Sequence, residues 1–174
     1  MNYLIDVEST GMSSKDEVIQ LAWIRLPDNL QLIKEYEIDT LLSLPTSVQF
    51  FNPSVPINIE AQKIHGLNKL KLIKYPKSIT CKLPDDCTLA TGHNIIFDLR
   101  MLKVPTLPNV CTKKLAISKN LVKQNIVKDN KLITLFEYYY PVEQFPSLHK
   151  QFSTNFHDAL NDCFKTLLIL KELL

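Results

Sequence analysis

The chain opens on an apolar run that carries two acids. Tyr3-Leu4-Ile5-Asp6-Val7-Glu8 has the composition of a strand at the centre of a sheet, and Ser9-Thr10-Gly11 is turn chemistry that ends it. Glu17 to Leu26 reads as a second strand, and Pro27-Asp28-Asn29 as a hairpin loop into a third strand over Leu30 to Ile38, which together make an antiparallel meander. Val48 to Asn52 is a candidate for a further strand, while Leu41 to Thr46 shows no clear period. Pro53 and Pro56 break the chain before Asn58, the expected N-cap of a short helix through Ile64 that His65-Gly66-Leu67 ends. Thr88 to Gly92 is a short strand. In the segment after it, Ile95, Leu99 and Leu102 mark one helical face. Asn109-Val110-Cys111 follows as a strand, Thr112 starts a helix over Lys113 to Lys119, and Lys131 to Tyr140 is a helix stopped by Pro141. Tyr140 to Phe152 reads as a loop bearing aromatics. Ser153-Thr154-Asn155 offers N-caps for a last helix, whose apolar stripe is Ala159, Cys163, Leu167, Leu170 and Leu174.

Strand geometry gives the first run its chemistry. Side chains two residues apart share a face, so Asp6 and Glu8 lie side by side in an apolar strand. Buried charges need a partner or a metal, no Lys or Arg lies in the run, and carboxylate oxygens suit hard divalent cations. A strand end open to solvent would also tolerate the pair. Asp98 falls one turn inside a helix among apolar residues, and Asp162 one residue from the final stripe. His157 stands five residues before Asp162, about 140° away on a continuous helix, so it shares the face of Asp162 only from the loop that enters the helix. Four such acids can hold two hard cations about 4 Å apart, the arrangement for in-line displacement at phosphorus. His157, with a reference pKa near neutrality, suits the removal of a proton from water.

Composition narrows the setting. At 174 residues and 45% hydrophobic content, residues 1–174 form one globular domain with a sizeable core, and no apolar run reaches membrane-spanning length. Cys81, Cys87, Cys111 and Cys163 lack C-x-x-C spacing, so reduced thiols and a soluble, cytoplasmic protein are expected. The net charge of +2 hides an asymmetry: residues 1–60 hold 3 Lys/Arg against 9 Asp/Glu, residues 61–131 hold 14 against 4, and the remainder 3 against 5. Lys63, Lys69, Lys71, Lys74, Lys77 and Lys82 follow one another without an intervening acid. Such a run fits a phosphate-backbone surface beside an acidic centre, or an ordinary solvated face.

Three motifs then connect the parts. Asp6-x-Glu8-Ser9-Thr10-Gly11, Asn94-x-x-Phe97-Asp98-x-x-x-Leu102 and His157-x-x-x-x-Asp162 resemble, in order, the motifs of the DEDDh (DnaQ-like) 3′–5′ exonucleases. That family includes the proofreading subunit of bacterial replicative polymerases, RNase T and oligoribonuclease. Cys111-Thr112-x-Lys114-Leu115-Ala116 and Ala159-Leu160-x-Asp162-Cys163 are similar to its exodeoxyribonuclease X branch. The resemblance implies an α/β, RNase H-like fold: a mixed five-stranded sheet flanked by helices. It implies hydrolysis from the 3′ end of DNA, single-stranded or with a 3′ overhang, to nucleoside 5′-monophosphates. Asp6, Glu8, Asp98 and Asp162 would hold two divalent ions, Mg²⁺ or Mn²⁺, and His157 would be the general base. The turn Ser9-Thr10-Gly11-Met12 would meet the terminal nucleotide, with Met12 against its base, Asn94 nearby and His65 and Leu67 flanking the 3′ end. An RNA substrate or a proofreading role is the alternative; an inactive nucleic-acid-binding protein is a remote one, since it would be expected to lack one of the five residues. No membrane or protein partner is implied, and a homodimer stays open. Residues 39–50 exceed the family's usual link, and the end of the chain at Leu174 favours a stand-alone nuclease.

Overall fold

Asn2–Ser9 (β1) lies at the centre of a five-stranded sheet because it is paired on both edges. On one side it runs antiparallel to Val18–Leu26 (β2), which pairs in turn with Thr46–Phe50 (β3); on the other it runs parallel to Leu89–Gly92 (β4), followed by Asn109–Cys111 (β5). The strand order is β3-β2-β1-β4-β5. This computed structural model describes residues 1–152 and 157–174. Eight α-helices are described: α1 (Ile38–Leu42), α2 (Ile59–His65), α3 (Lys69–Leu72), α4 (Ile96–Met101), α5 (Thr112–Ser118), α6 (Leu132–Tyr139), α7 (Pro146–Phe152) and α8 (Ala159–Leu173).

The alternation along β1 sorts the core into two layers. Leu4 packs with Ala22 and Ile24 against Leu167 and Leu170 of α8, in a cluster that extends to α5, α6 and α7. Tyr3, Ile5 and Val7 point the other way, toward Ile95 and Leu99 at α4. Asp6 and Glu8 continue the Leu4 face, so the strand turns both carboxylates toward α8. Gly92 lets β4 approach β1 closely: a Cβ there would sit 2.7 Å from Ile95 Cδ1 and 3.0 Å from the Ile5 carbonyl. All four cysteines are free, and Cys111 and Cys163 are buried. No helix among the described residues is long and apolar enough to cross a membrane.

Three expectations are corrected. The strand expected over Leu30 to Ile38 is instead a 3-10 helix, Leu30–Lys34, followed by α1; the third strand is β3, which overlaps the Val48–Asn52 candidate. Asn29 caps the 3-10 helix by accepting from Gln31 N, Ile33 and Leu41 are fully buried, and Lys171 of α8 donates to the carbonyls of Lys34 and Tyr36. The long link over residues 39–50 is thus a helix plus the third strand. The loop expected from Tyr140 to Phe152 contains α7, where Pro146 suits the first helical position and Leu148 and Phe152, four apart, are buried. The last helix is capped by Asp158, whose Oδ1 accepts from the backbone N–H groups of Leu160 and Asn161. The expected caps Ser153, Thr154 and Asn155 lie outside the described residues.

Candidate active site

The site forms where the parallel pairing of β1 stops. β4 pairs only with Asn2, Tyr3 and Leu4, so the β1 backbone beyond them loses its neighbour on that edge. Asp98, from the first turn of α4, fills the gap: its Oδ1 accepts from Val7 N at 3.0 Å. This is the partner that a carboxylate at that depth requires. On the β2 side the register shifts between Glu8 and Ser9, a bulge that ends regular pairing at the acids. The acids therefore sit in the crevice at the strand ends, where open sheets bind ligands.

Asp162, in the first turn of α8, meets them from the third element. Its Oδ2 is 3.0 Å from His157 Nδ1 and its Oδ1 accepts from Lys165 Nζ at 3.0 Å. One ligand atom each of Glu8, His157 and Asp162 lie within 4.8 Å of one another. His157 precedes the helix, as its spacing to Asp162 requires, and its backbone N–H donates to the Ile64 carbonyl at the end of α2. Its side chain is 64% exposed, so the ring reaches water while Asp162 holds one edge.

The charges are unbalanced. Burial, then repulsion from Asp98, Asp162 and Glu8, raises the Asp6 pKa well above the carboxylate range. Burial likewise pushes Glu8 to about 7 against the pull of His157, and Asp98 to about 8 against its bond from Val7 N. Asp162 is held below its ordinary value: burial opposes this, but the His157 hydrogen bond and Lys165 outweigh it. The same hydrogen bond raises His157. Among the described residues no Lys, Arg or His makes a salt bridge to Asp6, Glu8 or Asp98. A set of carboxyl oxygens that resist ionising together, with no cationic side chain to stabilise them, fits a divalent cation.

Two clefts flank the acids. One, of about 470 Å³, is lined by Glu8, Ser9, Gly11, Met12, Ile64, His65, Asn94 and Phe97. The other, of about 560 Å³, is lined by Asp6, His93, Asn94, His157, Asp162 and three lysines. The turn after β1 is held rigidly. Ser9 Oγ donates to the Gly11 carbonyl, buried Thr10 donates to Asp16 Oδ1, and Arg100 of α4 donates to the Met12 carbonyl. A Cβ at Gly11 would meet the Asp16 carboxylate at 2.8 Å, so a side chain there would displace the group that Thr10 Oγ1 and Ser13 N hold. Met12 is left 79% exposed at the rim. Thus Ser9, Gly11, Met12, His65 and Asn94 come together, whereas Thr10 and Leu67 stay outside the lining: the Thr10 N–H donates to the Glu17 carbonyl, its carbonyl accepts from Asn58 N and its hydroxyl donates to Asp16. The Leu67 N–H instead donates to His65 Nδ1.

A mixed sheet in this order, with acids at the end of its central strand, is the RNase H-like fold, and its site is that of a nuclease that uses divalent metal. The chain belongs to the RNase_T exonuclease family, whose sequence profile matches residues 4–170; it is a hydrolase of the exonuclease class. No curated protein matches it by sequence. Among solved structures it is similar to Exonuclease X in complex with 5′-overhanging duplex DNA, with a TM-score of 0.67 and 19% identity over 99% of this chain and 90% of that one. It is also similar to E. coli Exonuclease I in complex with a dT13 oligonucleotide, with a TM-score of 0.68 and 15% identity over 98% of this chain but 40% of that one. The zinc-bound complex of E. coli Exonuclease I with single-stranded DNA gives a TM-score of 0.67 at 14% identity over 98% of this chain and 39% of that one.

Sequence reasoning missed the supports. Gln20, fully buried on β2 opposite Glu8, donates from Nε2 to Asp158 Oδ2 at 2.9 Å and accepts from Ala159 N, fixing the entry to α8 from which His157 and Asp162 project. Its signal was a lone amide in an apolar strand. His93 was also missed: Nε2 donates to the Asn130 carbonyl at 3.0 Å, which leaves Nδ1 to accept from Thr112 Oγ1 at 2.9 Å.

Two tests follow from these supports. Gln20→Leu leaves Asp158 Oδ2 without its partner and is expected to cost about 1–3 kcal/mol in urea unfolding, and to lower kcat at unchanged KM through His157. Burial depresses the His93 pKa to about 4 from its ordinary 6.5, so the unfolded chain takes a proton in this window that the folded chain refuses. Wild type should therefore lose stability as pH falls from about 6.5 toward 4 relative to His93→Gln, and parallel stability curves would exclude a neutral buried imidazole.

Proposed function

We propose that residues 1–174 form a single 3′–5′ exonuclease domain that hydrolyses the terminal phosphodiester of a DNA strand and releases a nucleoside 5′-monophosphate. The observation that carries it is the bond between His157 Nδ1 and Asp162 Oδ2, which leaves Nε2 to act on water, in a cluster where one ligand atom each of Glu8, His157 and Asp162 lie within 4.8 Å of one another. Asp6, Glu8, Asp98 and Asp162 would hold two divalent ions, Mg²⁺ or Mn²⁺, and such a pair supplies water activation and neutralisation of the charge that develops on phosphoryl and leaving oxygens.

The chain's own groups then divide the work. His157 Nε2 takes the proton of the attacking water, and Asp162 steadies the imidazolium through Nδ1. The water oxygen bonds to phosphorus, the bond to the preceding nucleotide's O3′ breaks, that oxygen takes a proton from solvent water, and the His157 imidazolium returns its proton to solvent. Met12, Phe97 and His65 shape a cleft for the terminal nucleoside. Burial lowers the His65 pKa, so its ring is neutral when it meets a nucleoside. DNA is favoured as substrate because the similar structures of Exonuclease X and E. coli Exonuclease I hold DNA. Free cysteines fit a reducing compartment such as the cytoplasm.

The test is cleavage of 3′- and 5′-labelled single-stranded and recessed-end DNA, beside RNA of the same sequence, with Mg²⁺ or Mn²⁺ and with EDTA. Mononucleotide release from the 3′ end that EDTA abolishes is expected, and the DNA to RNA rate ratio assigns the substrate. His157→Ala should keep manganese uptake by calorimetry and lose about 10²–10⁴-fold in rate. Asp6→Ala should lose both, and a fully active Asp6→Ala protein would overturn the metal assignment.

A further inference from the structure

The cleft of about 560 Å³ differs in chemistry from the nucleoside cleft across the acids. Lys113 reaches it from the first turn of α5, Lys131 from the residue before α6, and Lys165 from α8. Among the described residues its only lining acids are Asp6 and Asp162, both assigned above to the proposed metal-binding set. Lys165 is tied to Asp162, whereas Lys131 is only 3.7 Å from Asp129 in an exposed pair of little strength, and Lys113 forms no salt bridge among the described residues.

The segments that carry two of these cations are anchored. His93, at the end of β4, bonds Thr112 beside Lys113 and Asn130 beside Lys131, so one ring ties both lysine-bearing segments to the sheet. In the same lining Ile133 is 47% exposed, which adds apolar surface to the positive charge. A lining that combines cationic and apolar surface suits a single strand, whose phosphates take the charges while sugars and bases lie on the apolar side chains. Asn94 lines both clefts, so they join across the acids.

We propose, on the exonuclease reading above, that this cleft is the track for the strand upstream of the scissile bond, with Lys113 and Lys131 each binding a phosphate on the 5′ side. The terminal nucleoside lies in the apolar cleft and the scissile phosphate lies at the acids. Direction is thereby built into the site: one side accepts an uncharged nucleoside, the other a polyanion.

The test measures binding of 5′-labelled oligothymidylates, from the dinucleotide to about eight nucleotides, by fluorescence anisotropy in Ca²⁺ at salt concentrations from about 50 to 200 mM. For the wild type, affinity should rise with length and fall with salt. In Lys113→Ala/Lys131→Ala the slope of log K against log salt should fall by about 1.4, roughly 0.7 for each phosphate released. The loss of affinity should grow with length. Lys113→Arg/Lys131→Arg should restore the slope, which a misfolded protein would not do. An unchanged slope in the alanine pair would overturn the proposal, and so would a loss equal at every length, which reports damage at the terminal site. Manganese-dependent hydrolysis of thymidine 5′-p-nitrophenyl phosphate by the wild type tests the reaction separately, because that ester has no upstream strand. Failure of the chemistry and failure of the track are thus distinguishable.

Discussion

Mutual repulsion among Asp6, Glu8, Asp98 and Asp162 is the constraint on which the site depends. The fold brings four carboxylates from three elements into one crevice, and among the described residues the only cationic side chains bonded to them, His157 and Lys165, are both on Asp162. The consequence is uneven: Asp162 is held ionised, while burial and neighbouring charge push Asp6, Glu8 and Asp98 toward protonation. Folding gathers carboxyl groups that resist ionising together, so in the free protein protons offset their charge, and a divalent cation that displaces those protons would stabilise all of them as carboxylates. Such a cluster lowers the stability of the free protein and strengthens its binding of divalent metal, which is a frequent relation between stability and function.

The rest of the molecule holds that cluster in place. β1 supplies two acids by its alternation, and the early end of β4 exposes Val7 N for Asp98 to accept from. α8 lies across the sheet on its buried stripe and delivers Asp162, while the Gln20–Asp158 bond fixes the point where the chain enters that helix. The His157 backbone is bonded to α2, the helix whose end carries His65. The candidate base and the nucleoside cleft are therefore mechanically joined.

What was legible in the sequence follows the range of the forces involved. The strand that pairs Asp6 with Glu8, the α4 face and the α8 stripe are set by local period, and each stands where that period predicts. Leu30 to Ile38 misled because its composition is as apolar as a strand's, while its conformation is decided by the Asn29 cap and by Lys171, far along the chain. α7 was hidden because Pro146, a break in most contexts, suits a first helical turn. The five candidate catalytic residues were visible through their motifs. Their supports were not, since Gln20 to Asp158, Asp98 to Val7 and His93 to Asn130 are contacts between distant positions that no spacing announces.

The most direct test of the central claim is the melting temperature of the nucleic-acid-free protein in EDTA and in rising Mn²⁺. If the acid cluster is a divalent-cation site, the metal binds only the folded chain and must raise its stability, by about 3–4 kcal/mol at 100 to 1,000 times Kd. A melting temperature that does not move through millimolar Mn²⁺ would contradict the account.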